Sequence, residues 1–255
     1  MFEKIKCFIL DMDGTIYLGN ELFPFTKDFL KKVEDTGREY YFFTNNSSKS
    51  QQAYIEKLDK LGIQIKKDQM MISSHVIVKY LKEHYEGKSI YVLGTPSLIQ
   101  EFQYFDMNLT EEDPDIVVLG FDTTLTYEKL SKACNYIRNG CIYFGINPDW
   151  NCPMEGGAFI PDCGSMAKLI EASTGRFPEF FGKPSKHTLD YIIQETGYEP
   201  DEIAIVGDRL YTDIAVADQS DVMSILVLSG ESTREDVKTS NVKPNVILED
   251  LSEIT

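Results

Sequence analysis

Short, mostly apolar runs recur along this chain at helix-length intervals, and that pattern leaves few folds open. The runs are Ile5–Leu10, Tyr40–Phe43, Met70–Ile72, Ile90–Leu93, Ile116–Leu119, Cys141–Ile146, Glu202–Val206 and Ser224–Leu228. Most are apolar at successive positions, as strands buried on both faces are. The spacers have helical periodicity. In 48–61, Tyr54, Leu58 and Leu61 fall at i, i+4 and i+7, Ser48 and Gln51 have capping-box spacing, and Gly62 supplies a stop. Alternation of this kind predicts a parallel sheet covered by helices. Polar signatures cluster in 1–50 and 180–215. The expected organisation is a core built from 1–80 and 179–255, with 81–178 inserted as a second α/β unit.

Charge narrows the function. The net charge is −16, from 25 basic and 41 acidic residues. That argues against nonspecific nucleic-acid or anionic-membrane binding, and it requires any phosphate site to hold a local cation: a metal, a lysine or helix amides. No apolar stretch is long enough to span a bilayer. The stretch 1–10 lacks a small-residue cleavage site and reads as a first strand. Cys7, Cys134, Cys141, Cys152 and Cys163 form no CxxC pair and have no ligand spacing to His75, His84 or His187. They read as free thiols in a reducing cytoplasm, and the histidines as surface or packing residues.

Parallel sheets present their functional residues at the carboxyl ends of strands. Ile5–Leu10 runs into Asp11-Met12-Asp13-Gly14-Thr15. Tyr40–Phe43 runs into Thr44-Asn45-Asn46. Glu202–Val206 runs into Gly207-Asp208, with Asp213 five residues on. If these strands are neighbours, the three clusters meet at one rim. Two adjacent buried carboxylates are costly unless a cation or a reaction needs them. A carboxylate can attack phosphorus, and a second carboxyl two residues on can protonate the leaving oxygen and then deprotonate water. Asp13-Gly14 is equally a turn signal, and 44–48 an N-capping segment. Thr44 and the amides after it have the chemistry of an anion site. Lys183, between Gly182 and Pro184, is either a point charge for a phosphoryl group or a solvated loop lysine. Asp208 and Asp213 are either ligands for Mg²⁺ or a helix cap and a surface carboxylate.

In this order the four clusters resemble the haloacid dehalogenase superfamily of aspartate-nucleophile phosphohydrolases. The resemblance extends to its NagD-type branch through Gly120-Phe121-Asp122, Leu125–Leu130, Asn147-Pro148-Asp149, Glu155-Gly156-Gly157, Gly164-Ser165, Gly182-Lys183-Pro184 and 207–214. The glycines usual after the last motif are absent, and Ala217-Asp218-Gln219-Ser220-Asp221 stands there. The resemblance implies a Rossmann-like α/β core with an inserted α/β cap that closes over the site. It implies Asp11 as nucleophile, Asp13 as general acid/base, Thr44 and Asn45 as phosphate contacts and Lys183 as the charge-stabilising lysine. Mg²⁺ would be held by Asp11, the Asp13 carbonyl oxygen and Asp208, with Asp213 a more distant or water-bridged partner.

The implied activity is Mg²⁺-dependent hydrolysis of a small phosphorylated metabolite. Relatives act on sugar phosphates, nucleoside monophosphates, phosphoglycolate and pyridoxal phosphate. A phosphotransferase or mutase using the same aspartyl-phosphate, and a noncatalytic phosphoacceptor, are the other classes open. Asn147, Asp149 and Trp150 read as turn or packing residues ahead of leaving-group contacts. The sequence leaves the oligomeric state, a homo-oligomer included, open.

Overall fold

The computed structural model describes residues 2–154 and 157–254. Glu155 and Gly156, part of one quoted motif, lie outside the described residues. The backbone forms two compact units, Met1–Thr44 with Ile55–Met71 and Lys183–Thr255, and Asn45–Tyr54 with Ile72–Gly182.

The first unit is built on a six-stranded sheet. Its order is Val246–Leu248, Met223–Val227, Ile203–Gly207, Cys7–Leu10, Glu39–Thr44, Met70–Ile72. The Cys7–Leu10 strand is central and pairs in parallel with Ile203–Gly207 and with Glu39–Thr44. Leu10 faces Val206 on one side and Phe42 on the other. All four residues of Cys7–Leu10 are buried, which is why the run carries no alternation. Helix Thr26–Asp35 covers the sheet through Thr26, Phe29, Leu30 and Val33, the i, i+3, i+4, i+7 set of an amphipathic helix. Phe29 meets Phe8 edge to face, with ring centroids 5.6 Å apart. Phe8 is fully buried, so Phe8→Ala is expected to cost about 3–5 kcal/mol in urea unfolding. A loss under about 1 kcal/mol would show that this contact contributes little.

The second unit has a four-stranded parallel sheet in the order Glu179–Phe180, Ile142–Gly145, Ile116–Leu119, Ile90–Leu93. Helices Tyr127–Arg138 and Cys163–Thr174 bury Ala133, Ile137, Ala167 and Ile170 against Val117 and Leu119. A two-stranded ribbon joins Asn151–Pro153 to Phe159–Pro161. The chain is thus α/β, with a Rossmann-like core and a second α/β unit.

The sequence reading misplaces one helix start. The expected Ser48 helix begins at Gln51. Asn46 Oδ1 accepts both the Ser48 N–H at 3.0 Å and the Ser48 hydroxyl at 2.7 Å, a local turn that competes with helix. Ser50 Oγ instead accepts from the Ala53 N–H. Among the described residues no helix is long and apolar enough to cross a membrane. None of the five cysteines forms a disulfide. His75 is a packing residue, buried and 2.8 Å from Glu101.

Candidate active site

Each site segment of the first unit leaves the sheet at a strand's carboxyl end. Asp11 follows Leu10, and its N–H continues the ladder to the Val206 carbonyl at 2.9 Å. Asp208 follows Gly207, the last residue of the neighbouring strand. Thr44 ends the strand on the other side. Because these strands are adjacent and in register, the three segments reach one rim.

After Asp11 the chain turns sharply. Met12 O accepts the N–H groups of Thr15 and Ile16, and Gly14 takes φ +88°. That backbone conformation favours glycine, so Asp13-Gly14 is a turn directly after Asp11. A short ribbon follows, Tyr17–Leu18 with Glu21–Leu22. After Asp208 the chain enters a single π-helical turn, Leu210–Ile214. This turn carries the Asp213 carboxylate back to accept the Arg209 N–H at 3.0 Å. Such turns are frequent at functional sites.

The charged side chains converge. Lys183 is 2% exposed, and its Nζ lies 2.6 Å from Asp11 Oδ1 and 2.5 Å from Asp213 Oδ1. It also donates to the Phe43 carbonyl at 3.4 Å and sits over the Phe43 ring. It is therefore no solvated loop lysine. One oxygen from each of Asp11, Asp208 and Asp213 lies within 4.8 Å of the others. Asp213 is a buried partner of Lys183, with nothing of a surface carboxylate about it.

Three carboxylates against Lys183 and Arg209 leave an excess of buried negative charge. Burial first, and the Asp213 carboxylate second, push the Asp11 carboxyl up to about 6, against the pull of Lys183 and Arg209. The same two causes, with Asp11 third, hold Asp208 well above the usual carboxylate range. Burial alone would lower the Lys183 pKa, but Asp11 and Asp213 outweigh it and keep it above its ordinary value. Closely spaced oxygen donors with surplus negative charge suit a hard divalent cation, so these residues fit one.

Asn45 belongs to the second unit. Its Nδ2 donates to Asp149 Oδ2 at 2.9 Å, and its carbonyl accepts from Ser73 Oγ at 2.8 Å. Asn147 donates to Asp149 at 2.9 Å and to Asp162 at 3.0 Å, and accepts from Ser47 Oγ at 2.7 Å. Asn147 and Asp149 therefore hold loops together, whereas Trp150 is half exposed.

Sequence reasoning missed Arg209 as a charge in this cluster, and it missed the Ser229-Gly230-Glu231 loop. Nothing in that loop marks it alone. Its only signal is its place just after an apolar run, at the end where function collects.

Two family models match the chain. One described as haloacid dehalogenase-like hydrolase covers residues 8–108, and a HAD-hydrolase-like one covers 180–254. The chain belongs to the haloacid dehalogenase-like hydrolases. This hydrolase is 33% identical to an acid sugar phosphatase of Staphylococcus aureus over 98% of its own length and 97% of the relative's. Its fold superposes on a 4-nitrophenylphosphatase from Thermotoga maritima with a TM-score of 0.95 at 42% identity, covering 99% and 97% of the two chains. It also superposes on NagD from E. coli K-12, with a TM-score of 0.90 at 30% identity and 98% of each chain covered. These likenesses set it in the NagD-type branch, among phosphatases.

Proposed function

We propose that this hydrolase cleaves small phosphomonoesters, sugar phosphates among them, through an acyl phosphate on Asp11, with Mg²⁺ as its metal. One observation carries the reading: Asp11, Asp208, Asp213 and Lys183 cluster at the ends of neighbouring strands. Asp11 and Asp208, with the Asp13 carbonyl oxygen, would hold Mg²⁺, which would neutralise phosphoryl charge beside the nucleophile.

An Asp11 carboxylate oxygen attacks phosphorus as the ester P–O bond breaks. Asp13, as the acid, gives its proton to the departing oxygen, which leaves as an alcohol. Asp13, now a carboxylate, takes a proton from water, whose oxygen attacks phosphorus. Phosphate leaves and the Asp11 carboxylate is restored. Lys183, fixed between Asp11 and Asp213, and the Thr44 donors neutralise the phosphoryl oxygens. In phosphoryl transfer most of the catalysis is such positioning and charge stabilisation. Asp213 anchors Lys183. The inserted stretch 81–178 acts as the cap that selects the leaving group. The site favours small metabolites over nucleic acid or membrane, and the free thiols fit a cytoplasmic location.

Release of inorganic phosphate from para-nitrophenyl phosphate, then from a panel of metabolite phosphates, tests the activity. No release from any of them would refute it. A phosphotransferase would instead release less phosphate than leaving group once polyols are added. Asp13→Ala is expected to slow alkyl phosphates about 10²–10⁴-fold and activated aryl phosphates much less. Equal losses on both would remove Asp13 from the acid role.

A further inference from the structure

Asp208 depends on a loop that no motif marks. The strand Met223–Val227 runs next to Ile203–Gly207 in the sheet, so the chain leaving it passes Asp208. There the Glu231 N–H donates to Asp208 Oδ2 at 2.7 Å, and the Ser232 N–H to the Asp208 carbonyl at 3.1 Å. Ser229 Oγ donates to the Gly14 carbonyl at 2.8 Å. The loop thus ties the turn after Asp11 to the residue after Gly207. The Glu231 carboxylate lies 2.9 Å from Arg209 Nε and accepts the Tyr211 hydroxyl at 2.9 Å.

Two glycines close on the Asp208 carboxylate from opposite segments. A Cβ at Gly14 or at Gly230 would overlap it. Gly14 has a positive φ and needs glycine on conformational grounds as well. Gly230 has no positive φ, so space alone excludes a side chain there. Its backbone lies directly against the Asp208 carboxylate.

We propose that Ser229-Gly230-Glu231 is a positioning clamp that sets the orientation of the Asp208 carboxylate and thereby the divalent-metal affinity of the site. The proposal rests on the reading that Asp11 and Asp208 hold the cation. Groups that orient metal ligands typically contribute 10–100-fold to affinity. Packing alone would give the loop a part in stability and none in metal binding.

The test is calorimetric titration of Mg²⁺ into the full-length wild type, Gly230→Ala, Ser229→Ala and Ser229→Thr, with the Mg²⁺-induced rise in Tm measured in parallel. Gly230→Ala is expected to weaken Mg²⁺ about 10–100-fold, and Ser229→Ala about tenfold. Ser229→Thr keeps the hydroxyl and should bind close to wild type. Variants that melt earlier without metal but bind Mg²⁺ as tightly as the wild type would overturn the clamp. Should Gly230→Ala fail to fold, the Ser229 pair decides by the same criterion. A wild type that neither binds Mg²⁺ nor gains Tm from it would refute the underlying reading of the site, a result distinct from equal binding by all four proteins.

Discussion

Asp11→Asn is expected to lose about four orders of magnitude or more in kcat on para-nitrophenyl phosphate while melting no earlier than the wild type in EDTA. An amide is not a nucleophile at phosphorus. The stability half follows from charge. Burial and Asp213 raise the Asp11 carboxyl to about 6 from its ordinary 3.8. A raised carboxyl pKa means that folding disfavours the ionised form. The penalty is absent below 3.8 and complete above about 6, on the order of 3 kcal/mol. The metal-free wild type should therefore gain stability from this group as pH falls from 6 to 4. The Asn variant should lack that part of the gain. Steady-state kinetics and melting curves against pH check the two halves separately. Retention of most activity would refute the nucleophile assignment, and a lower Tm at neutral pH would refute the charge account.

Removal of divalent metal is the second large effect. EDTA is expected to abolish turnover, and added Mg²⁺ to restore it. Protons compete with the cation for the raised carboxyls of Asp11 and Asp208. Through Asp11, Mg²⁺ affinity should fall below about pH 6, roughly tenfold per pH unit for the proton displaced, and a protonated Asp208 would steepen the fall. Titrations at stepped pH, followed by heat or by Tm, measure this. Indifference to chelation would take the metal out of the mechanism. An affinity flat from pH 7 to 5 would mean the carboxyls are not the ligands.

Much of this was legible because burial on both faces writes itself as unbroken apolar runs. Met70–Ile72, Ile90–Leu93 and Ile116–Leu119 form strands with the bounds their residues suggest. The ends of Ile5–Leu10, Tyr40–Phe43 and Glu202–Val206 pointed to Asp11, Thr44 and Asp208. What the residues could not carry was sheet order. That Cys7–Leu10 lies between Ile203–Gly207 and Glu39–Thr44 is a pairing across nearly two hundred positions, with no local signature.

Other features were hidden by rules that compete locally. Val246–Leu248 is only half buried at the sheet edge, so its apolar signal is weak. Ser48 has the spacing of a cap, but the Asn46 side chain captures it first. Asp213 stood out as a metal candidate, but its contact with Lys183 comes from a π-helical turn that no spacing announces. Gly230 is needed for space and not for its φ, so no turn rule could have flagged it.

The central claim is that Asp11 itself carries the phosphoryl group. Acid-quenched enzyme, caught during turnover and reduced with borohydride, tests it most directly, because an acyl phosphate at Asp11 becomes homoserine. Peptide mass spectrometry is expected to find homoserine at position 11 in the wild type and none in substrate-free controls. Active enzyme without it at position 11, or with the modification at another carboxylate, would contradict the account.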